Sequence, residues 1–382
     1  MDLFLYNNSI LQIDKKTCVS AEKKEIEMND VQMSLRKAVL DFGWLYSEKL
    51  NRIGNPFVWV DGDNTPMLYT VDGVRSLLQF FSMFFEEYPL PKEYESDDYE
   101  EMVQYLTGLM TDAFNFFVPF TPNVEFDQEK HIRCTSVVRA QDYSAIKTLC
   151  KDLPESINHL DIGSGLGTHS AYSLKAFDAV FYSIEASPHT YGVQRNFYKF
   201  LSQGAGTYLD LVECENFNLD RKAIAELVNN DTERKYRIKH VPSWYFDVIA
   251  DQSIDLVTAS WVLNEVTIAG ILWLMSQTSR VLKRGGYIYL RDSMKLKPLR
   301  HMINYDELLV KMGFAEVHKS NVVNRVDFYG IPRVYRKETD KSYTFEELVD
   351  SCLGHFAVTT HGGALVQNMP KEQPKELKLK KA

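Results

Sequence analysis

Cysteine is scarce and scattered in this chain. The five present, Cys18, Cys134, Cys150, Cys214 and Cys352, are odd in number and show no C-x-x-C spacing. That argues against a disulfide framework and against a zinc site built on paired thiolates, and it fits a reducing compartment. No stretch approaches the roughly 20 uninterrupted apolar residues that cross a bilayer, and residues 1–8 hold no basic segment followed by a long apolar run. The expectation is a soluble, cytoplasmic protein with no membrane partner. Positive charge is also in short supply, with 43 Lys and Arg against 52 Asp and Glu and a net charge of −9. A broad basic surface for nucleic-acid backbone is therefore not expected, which disfavours a tRNA or DNA substrate.

Length and apolar content are ample by contrast. With 382 residues and 45% hydrophobic content, the chain can bury one large core and a second small one. Two domains are the expectation.

Residues 159–168 read His-Leu-Asp-Ile-Gly-Ser-Gly-Leu-Gly-Thr. A short apolar segment ends at Asp161, Gly163, Gly165 and Gly167 alternate, and residues 168–177 carry a helical pattern. Glycines are needed where the backbone takes positive φ or lies against a ligand, and a following helix aims free N–H groups at the same place. A dinucleotide loop requires G-x-G-x-x-G, and its third glycine would fall at 168, where Thr168 stands. That counts against a dehydrogenase. A plain tight turn is the other reading of these glycines, so the segments C-terminal to them have to decide.

Residues 179–184 are β-branched and aromatic and end in Glu185, about 20 residues beyond the glycines, where a nucleotide fold places a ribose-binding carboxylate. An exposed strand-end acid is the alternative for Glu185. Residues 253–260 read as a further strand, and 279–290 as the end of a helix, a Gly-Gly turn and another strand. The D-x-G-x-G-x-G loop with these three segments in order resembles the class I S-adenosylmethionine (SAM) dependent methyltransferases. The resemblance implies an α/β fold: a Rossmann-like, seven-stranded methyltransferase sheet with helices on both faces, here with a mainly helical N-terminal cap.

It also implies a cofactor, SAM, held by Asp161, Gly163, Ser164, Gly165, Gly167, Glu185, Ala186 and Ser260. Residues 236–241 would form the third strand and set Ser243 and Trp244 at its carboxyl end, flanking the adenine, because ligands in open α/β sheets sit outside those ends. The family's usual acidic residue there is displaced or absent, and Asp247 is a candidate substitute. Arg133, Arg139 and Gln141, just before the core, either face the cofactor or are exposed linker residues.

The remaining organisation follows from pattern. Residues 1–28 are a lead; 29–150 a helical cap and substrate domain; 151–338 the SAM domain; 339–382 an appendage with a disordered lysine-rich tail from 369. In the cap, periodicity predicts helices over 30–50, 71–88 and 102–117, a hairpin over 55–69, an extended piece over 131–138 and a helix over 143–153. The acidic run 93–101 suits a helix start. In the core, helices are expected over 190–203 and 219–229. Beyond the fifth strand come a polar loop at 291–298, a helix over 305–312, strands over 314–319 and 333–336, and a capping box at 344–347.

Residues 260–265, Ser-Trp-Val-Leu-Asn-Glu, leave the fourth strand where family members place substrate groups. They carry a more limited resemblance to bacterial sugar O-methyltransferases, in which a Ser and a Glu occur at this turn. Glu265 and Asn264 are accordingly expected to face the acceptor. Among the histidines, His169, His189, His240 and His301, the last is the best placed as a base, although a lone His is more often a packed or surface residue. No Asp or Glu pair has the family's Mg²⁺ spacing, so no metal is expected. The function expected is methyl transfer to a small-molecule hydroxyl; the alternative is a methyltransferase fold that serves as a scaffold without chemistry. The acceptor and the oligomeric state are not legible.

Overall fold

The computed structural model describes residues 94–117, 128–186, 188–202, 207–216, 219–231, 233–263, 268–291, 305–319, 332–353, 358–360 and 363–365. The lead, the expected elements of 30–50, 55–69 and 71–88, the loop after Arg291 and the tail lie outside the described residues.

Two helices, α1 (Tyr99–Phe117) and α2 (Gln128–Leu149), precede the first strand. The core then alternates β1 (Ser156–Ile162), α3 (His169–Ala176), β2 (Asp178–Glu185), α4 (Pro188–Ser202), β3 (Tyr208–Asp210), α5 (Leu211–Asn216), α6 (Arg221–Asn229) and β4 (Ile238–Pro242). A 3₁₀ turn (Ser243–Val248) leads to β5 (Ile254–Ser260), α7 (Ile268–Val281), β6 (Leu282–Arg291), α8 (Tyr305–Lys311), β7 (Phe314–Lys319), β8 (Arg333–Lys337) and α9 (Phe345–Leu353). A small hairpin pairs β9 (Val358–Thr360) with β10 (Gly363–Leu365).

The strands lie in one sheet in the order β3-β4-β2-β1-β5-β6-β8-β7. Pairing is parallel from β3 through β6, whereas β8 runs antiparallel to both β6 and β7. This is the doubly wound sheet the sequence led us to expect, with one correction: an eighth strand, β3, adds to the edge beside β4. Three residues with Gly204 and Gly206 close by give too short a run for period-2 patterning to register.

The parallel strands are buried along almost their whole length, as a sheet covered on both faces requires. Side-chain alternation assigns the faces. Val180, Tyr182 and Ile184 of β2 join Ile224, Trp273 and Leu308 on one side. On the other, Ala179 packs with Leu106, Tyr143 and Tyr172, and Phe181 with Phe114 and Tyr198. So α1, α2, α3 and α4 cover one face, and α6, α7, α8 and α9 the other.

Two further corrections concern secondary structure. Residues 131–138 are not extended: they lie inside α2, which begins at Gln128 and absorbs the helix expected from 143. The buried stripe Ile132, Thr135, Ser136, Arg139, Asp142, Tyr143 and Ile146 recurs every three or four residues, but half of it is polar, so an apolar-periodicity test misses it and the β-branched residues mislead. Gly285 and Gly286 do not form a turn ahead of the fifth parallel strand; they sit at a register shift within β6. Gly285 takes φ +82°, and a Cβ on Gly286 would lie 2.9 Å from the Asp255 carbonyl oxygen, so the pair lets β6 close onto β5. The capping box is present, with Glu347 N donating to Thr344 Oγ1 at 3.2 Å and Thr344 N to Glu347 Oε2 at 2.9 Å. Among the described residues no helix is long and apolar enough to cross a membrane, and Cys134, Cys150 and Cys214 are free thiols.

Candidate functional site at the strand ends

Strand order reverses at β1, whose neighbours are β2 and β5. Register brings the carboxyl ends level: Ile162 lies opposite Ile184 and Ala259, Glu185 opposite Pro242, and Ser260 opposite Arg291. A crevice outside such ends is where open α/β sheets take ligands.

The 163–167 loop rises from β1 into this crevice. Gly163, Gly165 and Gly167 have φ of +65°, +57° and +81°, a region that costs an L side chain roughly 1–2 kcal/mol. Their surroundings differ. A Cβ on Gly163 would fall 2.3 Å from Val262 Cγ2, and one on Gly167 2.7 Å from Tyr198 Cε1, whereas one on Gly165 would meet nothing within 4 Å. Two of the glycines make room for protein, and the middle one fronts open space. Backbone bonds from Gly163 N to Ile184 O and from Gly167 N to Ser164 O, both 2.8 Å, hold the loop.

Glu185 is 7% exposed. Its Oε1 accepts from Ala186 N at 2.8 Å and its Oε2 from Gln194 Nε2 at 2.9 Å. The same Gln194 nitrogen donates to Gly165 O at 2.8 Å. Ser164 accepts from Ser183 Oγ at 2.9 Å, and Ser183 from Tyr198 at 2.8 Å. Ser243 and Trp244 are buried in the turn after β4, with Trp244 O accepting from Arg221 at 2.9 Å. Asp247, considered as a substitute acid, is instead paired with Arg221 in a solvent-exposed contact. Asp161 Oδ2, Ser243 Oγ and Ser260 Oγ are buried without hydrogen-bond partners. Left unmet, each such atom costs about 1–3 kcal/mol. Three of them at the ends of β1, β4 and β5 mark a region built to meet polar ligand atoms or water.

Beneath the loop lies a buried ionic network. Asp142 of α2 accepts from Tyr289 and Arg291 Nη1 on Oδ1, both at 2.7 Å, and from Arg139 Nη1 and His169 Nε2 on Oδ2, at 2.9 and 3.0 Å. Burial pushes its carboxyl up, but Arg291, His169 and Arg139 outweigh that and hold it well below the ordinary carboxylate range. His169 Nδ1 lies 3.0 Å from Asp161 Oδ1, an ionic contact off the line of a good hydrogen bond, while Thr258 Oγ1 donates to that oxygen at 2.6 Å. Burial disfavours the imidazolium; Asp161 and Asp142 overcome it and the nearby Arg139, so the His169 pKa is raised. Arg139 Nε also reaches Thr168 Oγ1 at 3.1 Å, and Gln141 accepts from Arg291 at 2.9 Å. Arg139 thus braces the end of the glycine loop at Thr168, Gln141 holds Arg291, and Arg133 is exposed.

Of the other histidines, His240 is driven by burial down to about 3 and is neutral; neither it nor His169 is disposed as a base. Asn264, Glu265, His301 and the side chain of His189 lie outside the described residues. Among the described residues, no group of His, Cys, Asp and Glu is arranged to hold a metal ion. Gln194, Asp142, Thr258 and Tyr289 escaped sequence reading. Thr258 and Tyr289 had a signal in part, since each lies two residues before a polar strand end, Ser260 or Arg291, and so on the same face; nothing in the pattern marks Gln194 or Asp142.

No family model and no curated protein matches the chain. Solved structures do. A SAM dependent methyltransferase from Aquifex aeolicus is 15% identical over 51% of this chain and 88% of its own, with a TM-score of 0.32. The 1,6-didemethyltoxoflavin-N1-methyltransferase of Burkholderia thailandensis, crystallised with 1,6-didemethyltoxoflavin and S-adenosylhomocysteine, is 12% identical over 53% of this chain and 79% of its own, at 0.35. Phosphoethanolamine N-methyltransferase 2 of Haemonchus contortus, in complex with phosphomonomethylethanolamine and S-adenosylhomocysteine, is 15% identical over 46% of this chain and 36% of its own, at 0.29. Likeness this distant transfers no residue role and no substrate, and the more limited resemblance to sugar O-methyltransferases gains nothing from these three.

Proposed function

We propose that the chain binds SAM in the crevice at the ends of β1 and β2 and transfers its methyl group to a small-molecule acceptor, with a hydroxyl of a sugar or another hydroxylated metabolite as the acceptor. The observation that carries this reading is the pairing of an open, positive-φ Gly165 with a carboxylate, Glu185, fixed at the end of the adjacent strand.

The residues fit the cofactor. Gly165 leaves space where the backbone can approach a ligand, and Glu185 can accept both ribose hydroxyls, since a carboxylate takes up to about four hydrogen bonds. Ser243 and Trp244 stand where the adenine would be flanked, and Ser243 Oγ and Ser260 Oγ await polar atoms. When bound, SAM supplies a methyl group on a sulfonium, moved in one in-line displacement. What remains for the protein is to hold the acceptor and, for a hydroxyl, to take its proton. Positioning contributes about 7–11 kcal/mol and a general base a factor of about 10² to 10⁴, so positioning is the requirement and the base an addition. Glu265, with Asn264 beside it, is assigned the base or orienting role because it follows the end of β5; His301 is the second choice.

Titration calorimetry tests the cofactor: S-adenosylhomocysteine should bind and Glu185→Ala should weaken it by at least about tenfold. Heat with NAD and none with S-adenosylhomocysteine would end the reading. Labelled SAM offered to a panel of hydroxylated metabolites tests the acceptor, and a protein that binds SAM yet labels none of them is the scaffold instead.

A further inference from the structure

Gln194 sits on α4, fully buried, between the two halves of the crevice. Its Nε2 faces two acceptors, Gly165 O at 2.8 Å and Glu185 Oε2 at 2.9 Å. Its Oε1 faces His240 Nε2 at 2.9 Å and Ser183 Oγ at 3.3 Å. One terminal atom between two acceptors must be the NH₂, which has one hydrogen for each, so the amide orientation is dictated by its surroundings. The opposite atom is then the carbonyl oxygen, and His240 must carry its proton on Nε2 to donate to it.

The rest of the pocket holds the ring in place. His240 Nδ1 lies 3.0 Å from the Tyr208 hydroxyl, whose one proton is contested by Asp210 Oδ2, also at 3.0 Å, so the tautomer is set from the Gln194 side. The ring stacks on Tyr191 with centroids 3.5 Å apart and planes at 9°, and Tyr198 meets it edge-on. Asp210 and Arg195 are the charged groups that face it, and they are paired with each other at 2.6 Å. Moving the proton from Nε2 to Nδ1 would cost the bond to Gln194 Oε1.

We propose that Gln194 is a positioning residue of the cofactor cradle, one amide that locks the glycine loop and the ribose-binding carboxylate in register, and that His240 fixes the amide's orientation. The inference rests on the proposed cofactor site and adds to it a source of preorganisation: Glu185 arrives already aimed, and the 163–167 loop cannot drift from it. Flipping the amide would set its oxygen against two acceptors at once, so the cradle has a single stable arrangement.

The test is binding of S-adenosylhomocysteine by full-length variants, with thermal melting measured alongside. Gln194→Met keeps the volume and removes the bonds, and should weaken binding by about tenfold or more through loss of a charge-assisted contact. Gln194→Glu sets a second carboxylate against Glu185, and two such groups must share a proton. Its binding should therefore strengthen as pH falls from 8 to 6, when the new carboxyl can donate again, by more than any change in wild type, with which it shares the titration of His169. A residue that only packs would lower the melting temperature without creating that pH profile. His240→Phe retains the stack on Tyr191 and should weaken binding several-fold by releasing the amide; it decides the matter if Gln194→Met does not melt cooperatively. Variants that bind like wild type at every pH overturn the inference alone. Wild-type protein that binds no S-adenosylhomocysteine overturns the cofactor reading, and the inference with it.

Discussion

Arg291 Nη1 donates to Asp142 Oδ1 at 2.7 Å, tying the last residue of β6 to the middle of α2 across 149 positions of sequence. Asp142 is fully buried and is the shared partner of Arg139, His169 and Arg291. Asp142→Asn preserves size and deletes the charge, leaving two buried guanidinium groups and the His169 imidazole without their common partner. Removing one partner of a buried ion pair costs about 3–5 kcal/mol, so the midpoint of chemical denaturation should fall accordingly. A loss below about 1 kcal/mol, the value of an exposed pair, would mean that the network is solvated in solution.

The same helix decides where the chain can be cut. Met102, Val103 and Leu106 of α1 and Tyr143 and Ile146 of α2 share one core with Tyr172, Leu256 and Tyr289. A chain beginning at Lys151 would bare that sheet face and lose Arg139 and Asp142 as well. It should lack a cooperative thermal transition and fixed aromatic near-ultraviolet circular dichroism, the marks of lost packing. A sharp transition close to that of the full chain would establish the sheet and the helices after it as independent of α1 and α2.

The core strands were legible because they are short and largely apolar; β5, for instance, runs over Ile254–Ser260 where a strand over 253–260 was expected. The glycine loop was legible because positive φ leaves few residue types to choose from. What escaped is polar and buried. α2 hides Asp142 on its inner face, and Gln194 looks like any surface helix residue until His240 and Glu185, 46 and 9 positions away, are brought against it. Hydrogen-bond partnership across a sheet leaves no periodic trace in sequence, because each partner is fixed by tertiary packing alone.

Two neutral histidines give stability an acid-side slope. Burial drives His159 and His240 down to about 3 each, from the 6.5 expected of an open chain. Between those values the unfolded chain binds more protons than the folded one. Stability is then fully present above about 6.5 and falls as pH drops, by at most about 1.4 kcal/mol per pH unit for each histidine. His169 acts in the opposite sense: its pKa is raised, so its contribution is present below about 6.5 and is lost as pH rises through the folded value. His159 donates to or accepts from Ser173 and Thr258, each at 2.9 Å, and His159→Asn removes its titration. Unfolding free energies at pH 5, 6 and 7 should show the wild-type slope reduced by about one proton in the variant; parallel slopes would place a charged imidazolium in the folded core.

The three glycines of the loop should separate ligand contact from folding. Gly165→Ala places a methyl at φ +57° into open space, so the cost to folding is the left-handed backbone alone, about 1–2 kcal/mol. Gly167→Ala pays that strain too and drives its Cβ to 2.7 Å from the ring of Tyr198, which is buried and held by its 2.8 Å bond to Ser183 Oγ. Tyr198 cannot swing aside, and overpacking of this kind adds about 1–3 kcal/mol. Gly167→Ala should therefore melt at the lower temperature of the two. For S-adenosylhomocysteine the emphasis reverses: in the proposed site the new methyl at position 165 would fill space given to the ligand, so Gly165→Ala should bind at least about tenfold more weakly while remaining the better folded variant, a difference of about 1.4 kcal/mol in binding. Melting curves and calorimetry on the same two preparations read both quantities. If Gly165→Ala bound S-adenosylhomocysteine like wild type, the open side of the loop would not be the seat of the cofactor.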